Sequence, residues 1–193
     1  SPHSLRNAFD ANRLLEPFTQ LRRRPGMVLD YVWRGGHHEG APLLYAREEK
    51  ARPLATVQEF TERFKVTPTG YAPDFPQAYL PGIEMADSVL GAAQLAAFLC
   101  ESPLFLLHWH AHYDHVSLCV GTRGRQSLLA DFPPGDQERV LALPTGAKVR
   151  RAGNLYQVEM LTFQDNEGFW LRRWVISTAC ELLRTEKNQV VPA

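Results

Sequence analysis

The sequence predicts an α+β fold: a largely antiparallel sheet built from consecutive hairpins, with an N-terminal helical segment and one buried central helix. Three observations predict it. Apolar residues recur at helical spacing near the N-terminus, and residues 85–100 are apolar almost all round. After residue 103, strand-like runs follow one another instead of alternating with helices, which argues against a doubly wound parallel sheet.

Leu5, Phe9, Leu14, Leu15, Phe18 and Leu21 place an amphipathic helix over about residues 4–24. Ser4 is its N-cap, Pro17 breaks it near Glu16, and Pro25-Gly26 stops it. Residues 27–34 and 42–46 read as paired strands around a turn, where His37 and His38 are solvated loop residues. Thr56-Val57-Gln58-Glu59 has capping-box form and opens a short helix to about Phe64. Residues 66–83 hold Pro68, Pro73, Pro76 and Pro81 with Tyr71, Phe75 and Tyr79 between them. They read as an extended connector packed on the body, and as the best internal boundary in a single domain over residues 1–193. The buried helix over 85–100 follows, with Asp87 and Ser88 in its first turn.

Strands are then expected over residues 104–110, 116–120, 127–131, 140–143, 147–151, 155–163 and 169–176, and a short closing helix over 178–184. Tight turns fall at 121–124 and at Gly153-Asn154. In the last hairpin, a tip at 165–168 sets Phe163 opposite Phe169, Leu161 opposite Leu171 and Glu159 opposite Arg173. Trp170 and Trp174 then flank Arg172 on one face, read as a packing face.

Composition narrows the function classes. The chain has 193 residues, 45% hydrophobic and 22% charged, which suits a globular protein. Lys plus Arg equals Asp plus Glu at 21 each, so no overall field draws it to nucleic acid or anionic lipid. The local clusters Arg22-Arg23-Arg24 and Lys148, Arg150 and Arg151 read as solvated helix-end and hairpin charges. Cys100, Cys119 and Cys180 are widely spaced and odd in number, which fits reduced thiols in a cytoplasmic protein. No membrane-spanning run or signal-peptide core is read, and the opening Ser is taken as the mark of a trimmed chain.

Candidate chemistry concentrates in residues 108–115, His-Trp-His-Ala-His-Tyr-Asp-His, which hold four of the seven histidines. Imidazole and carboxylate together suit zinc. Strand alternation would put His108, His110, His112 and Asp114 on one face, and Trp109, Ala111, Tyr113 and His115 on the other. Neighbours two apart lie about 6.5–7 Å apart at the backbone, within reach of one shared ion. Asp114 could orient a ligand or accept a proton from bound water.

The string His110-Ala111-His112-Tyr113-Asp114-His115 resembles the His-x-His-x-Asp-His motif of the metallo-β-lactamase-fold hydrolases. That resemblance implies His110 and His112 on one zinc, Asp114 and His115 on a second, and a bridging hydroxide that attacks an ester, amide or phosphoester. It covers about 30 residues. Three features depart from the family: residues 116–120 read as a strand, no histidine follows His115, and Asp87-Ser88-Val89 fits the usual Asp-x-Gly strand end poorly.

The preferred reading is therefore a binding or interaction domain without catalysis of its own, with Trp109 and Tyr113 as contact residues for a protein partner. The competing reading is a zinc-dependent hydrolase with His110, His112 and His115 as ligands, Asp114 in catalysis, and His108, His37 or His38 as a further ligand. Cys119 reads as an inert core thiol and not as a nucleophile paired with the histidines. No phosphate-binding glycine loop, Gly-x-Ser-x-Gly turn or Cys-x-x-Cys pair is present.

Overall fold

A computed structural model describes residues 9–35, 40–65, 77–102, 105, 116–121, 125–126, 128–130, 132–165 and 167–192. The architecture is α+β, with antiparallel pairing throughout. Strands β1 (Leu21–Arg23) and β4 (Ile83–Met85) form one ladder, and β2 (Met27–Gly35) and β3 (Gly40–Glu48) form a second. The third sheet has five strands: β5 (Val116–Leu118), β6 (Lys148–Ala152), β7 (Leu155–Gln164), β8 (Gly168–Ser177) and β9 (Leu182–Val191). Both β5 and β6 pair with β7, meeting opposite ends of it, and β8 and β9 follow in order.

The N-terminal helix expected over 4–24 is corrected. Residues 1–8 lie outside the described residues; beyond them, a 3-10 turn over Ala11–Leu15 gives way to β1. The Asp10 carboxylate accepts the Asn12 N–H at 3.0 Å, so the helix starts late, and Pro17 lacks the donor needed to carry it on. Leu21–Arg23 then pairs with Ile83–Met85 instead, a long-range ladder that local periodicity could not reveal. The same ladder removes Ile83 from the connector and Met85 from the central helix.

The β2–β3 hairpin forms as expected and is longer at both ends. Helix α1 (Val57–Phe64) also follows its capping box: the Thr56 hydroxyl accepts the Glu59 N–H at 3.1 Å, although the Glu59 carboxylate takes the Ala55 N–H and not that of Thr56. Helix α2 (Val89–Glu101) starts only after Ser88, whose hydroxyl accepts the Gly91 N–H at 2.9 Å. A Cβ on Gly91 would stand 2.2 Å from the Ala86 carbonyl oxygen, so only glycine lets the chain enter the helix this closely. As its composition predicts, α2 is central, with Ala92, Leu95, Ala96, Phe98 and Leu99 buried.

Three further expectations are overturned. Of residues 127–131, those described lie in a helical turn, where the Leu129 N–H bonds to the Arg125 carbonyl at 3.0 Å. Residues 140–143 are the end of helix α3 (Pro134–Leu141) and the turn after it, and no strand. Both runs are four or five residues long, too short for alternation to be told from a helical face, and Pro134 is pre-set for a first helical turn. The closing helix expected over 178–184 is a turn followed by β9, because the free edge of β8 takes up residues 182–191 in a ladder. Cys180 sits at φ +67° in that turn.

The β7–β8 hairpin has the expected register, with Phe163 opposite Phe169, Leu161 opposite Leu171 and Glu159 opposite Arg173. Its two faces carry separate cores. Tyr156, Val158, Met160, Trp174 and Ile176 face α2 and join the larger core with β2 and β3. Leu161, Phe163 and Phe169 lie on the other face, under Leu129 and Val140 of the α3 region. This second cluster covers only half of its face, and the uncovered half defines one of the two concavities below.

Candidate functional site

The residues singled out from the sequence, His108, Trp109, His110, His112, Tyr113, Asp114 and His115, together with His37 and His38, lie outside the described residues. Their flanks are described. Phe105 packs edge-on against Tyr31 with ring centres 5.2 Å apart, and Val116 is buried opposite Gln164 on β7. Among the described residues, no group of three His, Cys, Asp or Glu side chains converges as a metal site would require. Burial pushes the Cys119 thiol up to about 11 against the pull of the Arg125 guanidinium, so it stands as a protonated core group. Cys100, buried at the end of α2, is pushed up to about 12.

Two polar concavities lie on the strands of the five-stranded sheet. The first lies on the half of the sheet that α3 leaves uncovered, and its volume is about 370 Å³. Cross-strand register builds it from two rows. One runs Lys148, Glu159, Arg173, Glu186 across β6, β7, β8 and β9, alternating in sign at each strand. The other runs Arg150, Gln157, Val175, Arg184. Opposite charges on directly facing residues stabilise each strand pair, which explains why so charged a face forms sheet. The Glu159 carboxylate accepts from Arg173 Nε at 2.5 Å, and Glu186 pairs with Arg184. Both carboxylates are thus occupied, and Lys148 and Arg150 keep no ion pair among the described residues. The trough holds two more cations than carboxylates, although the chain as a whole is neutral.

The second concavity opens from the opposite face of β8 and has a volume of about 250 Å³. Gln77, Leu99, Cys100, Val116, Arg172, Trp174 and Thr185 line it. Arg172 is only 6% exposed, and its Nε donates to the Thr162 hydroxyl at 3.1 Å. Its Nη2 is buried without any hydrogen-bond partner, and no carboxylate among the described residues pairs with it. Directly opposite on β9 stands Lys187, a second cation, whose ammonium turns to the Trp170 ring at 4.8 Å. Burial of a charged guanidinium carries a desolvation cost of several kcal/mol. The nearby C-terminal turn of α2 offers a favourable dipole of at most about 2 kcal/mol, which leaves most of that cost standing.

Sequence reasoning reached these sites unevenly. It placed Arg172 between two tryptophans, the one signal that pointed to it. It reads Lys148, Arg150 and Arg151 as plain solvated charges and misses the ladder, because the helix expected over 178–184 takes Arg184 and no strand is expected at Glu186. Comparison of the chain with known protein families, with curated proteins and with solved structures finds no match in any of the three.

Proposed function

We propose that this protein is a binding domain, without catalysis of its own, that receives an acidic protein segment on the open half of its five-stranded sheet. One observation carries the reading: Lys148 and Arg150 face the trough with no ion pair among the described residues, while its two carboxylates, Glu159 and Glu186, are taken by Arg173 and Arg184. Four adjacent strands span roughly 14 Å, enough to lay several residues of an extended chain across the rows. Charge complementarity of this kind sets orientation and association rate more than raw affinity, so a moderate, salt-sensitive complex is expected. Free, buried Cys100, Cys119 and Cys180 support a reducing, cytoplasmic setting, and no described helix is long and apolar enough to cross a membrane.

The test uses a fluorescein-labelled ten-residue polyglutamate peptide, with polylysine as control, followed by anisotropy at low salt. Polyglutamate should bind, weaken with added salt, and lose at least about tenfold in affinity in the Lys148→Glu/Arg150→Glu protein. No binding, or equal binding by the double variant, rejects the proposal.

The His110-Ala111-His112-Tyr113-Asp114-His115 string favours a second reading, a zinc-dependent hydrolase. Stoichiometric zinc in protein purified without a histidine tag, lost in a His110→Ala/His112→Ala variant, would replace the first reading. A metal-free protein whose stability is indifferent to those substitutions eliminates the hydrolase.

A further inference from the structure

We propose that the pocket at Arg172 binds a small apolar monocarboxylate, the guanidinium taking the carboxylate and Leu99, Val116 and Trp174 enclosing the apolar body. This site lies on the opposite face of β8 from the trough and does not depend on it. Three observations converge. A guanidinium, 94% buried by its 6% exposure, has one hydrogen bond, to Thr162, and a buried Nη2 with none. The residue directly opposite on β9 is a second cation, Lys187, whose own ion pair at 3.9 Å is with Glu167, so the cross-strand neighbour supplies Arg172 with no counter-charge. A cavity of about 250 Å³ is lined by Arg172 together with Leu99, Val116 and Trp174 and two uncharged polar groups, Gln77 and Thr185.

The chemistry of those walls selects the ligand. A planar carboxylate matches the planar fork of arginine and satisfies its orphan donor with a charge-assisted bond. One cation in the lining asks for one negative charge, which disfavours a phosphate dianion. Leu99, Val116 and the Trp174 ring suit an aromatic or short aliphatic body, and the volume falls below that of drug-sized pockets, so the ligand is small. Thr185 and Gln77 are placed to bond the second carboxylate oxygen or a substituent.

Benzoate is the probe, with hexanoate as a second carboxylate, inorganic phosphate as the rival anion and sodium chloride to hold ionic strength constant. The wild-type melting temperature should rise with benzoate and hexanoate and stay fixed with phosphate. In ¹⁵N spectra of the wild-type protein, the Arg172 Nε–H signal should move as benzoate is added. Arg172→Met, which replaces the buried charge with an apolar chain of similar length, should weaken benzoate binding at least about tenfold. Thr185→Val, on an edge strand that folds without that hydroxyl, should weaken it about threefold to tenfold and settles the matter if the methionine variant fails to fold. A response to phosphate alone overturns the ligand class. No response to either carboxylate, an unmoved Arg172 signal, or equal binding by the variants overturns the site.

Discussion

Arg125 and Arg172 are both buried guanidiniums without a carboxylate partner among the described residues, yet their surroundings differ. Arg125, 1% exposed, spends its Nη1 on the Val140 and Leu143 carbonyls at 2.9 and 2.8 Å and its Nη2 on the Pro144 carbonyl. Those carbonyls close the C-terminal end of α3, where a helix leaves acceptors unsatisfied and its dipole is negative. Although its Nε is buried without a partner, both terminal nitrogens are satisfied, and Arg125 ties the end of α3 to the helical turn that Arg125 itself begins. Arg172 meets one hydroxyl, a cavity and an opposing lysine. Burial of a charge by itself does not distinguish a clamp from a binding group; the count and direction of the acceptors around it do.

The comparison can be broken by substitution. Arg125→Met should cost the most, about 3–5 kcal/mol, because it removes three charge-assisted hydrogen bonds at once and strands the Leu143 and Pro144 carbonyls. Urea denaturation would measure this, and a loss under 1 kcal/mol would remove the clamp. Thr162→Val deletes the single acceptor of Arg172 while keeping its shape, with an expected loss of about 1–3 kcal/mol by the same measurement. Arg172→Met should run the other way in ligand-free protein, from no change to about 2 kcal/mol of added stability, since an apolar chain replaces an uncompensated charge. A loss comparable to that of Arg125→Met would place Arg172 among the structural clamps.

The smallest effect belongs to an exposed arginine. Arg151 donates to Asp87 at 2.9 Å beside the Tyr156 hydroxyl, which donates to the same carboxylate at 2.5 Å. The Tyr156 hydrogen bond first, and Arg151 second, hold the Asp87 carboxyl below its usual range. Its contribution to stability is thus complete at neutral pH and is lost as pH falls through the ordinary carboxylate range toward the lower folded value. Melting temperatures measured from about pH 7 down to pH 3 should show a shallower acid limb for Asp87→Asn than for wild type. Identical limbs would mean that the carboxylate carries no pH-linked stability.

Much of the fold was legible because its signals are local. The Thr56 capping box and the apolar run after Ser88 each specify an element through neighbours within a few residues. The β7–β8 register was legible for the same reason: a short tip leaves one pairing in which Phe163 meets Phe169 and Glu159 meets Arg173. The misread segments share the opposite property. Leu21–Arg23 becomes strand only because Ile83–Met85 lies beside it, and residues 182–191 only because β8 offers a free edge. Residues 140–143 were four apolar-rich positions with no period to read.

The sites divide along the same line. By itself the sequence determined the α+β class, the hairpin register and the placement of Arg172 between two tryptophans, because these follow from residue spacing along one or two adjacent strands. Only the tertiary structure decided that Lys148, Glu159, Arg173 and Glu186 form one row, that α3 stops short of it, and that Arg172 is buried beside a cavity. Those facts depend on which surfaces cover which, and burial sets the free energy of a charge through groups that lie far away along the chain.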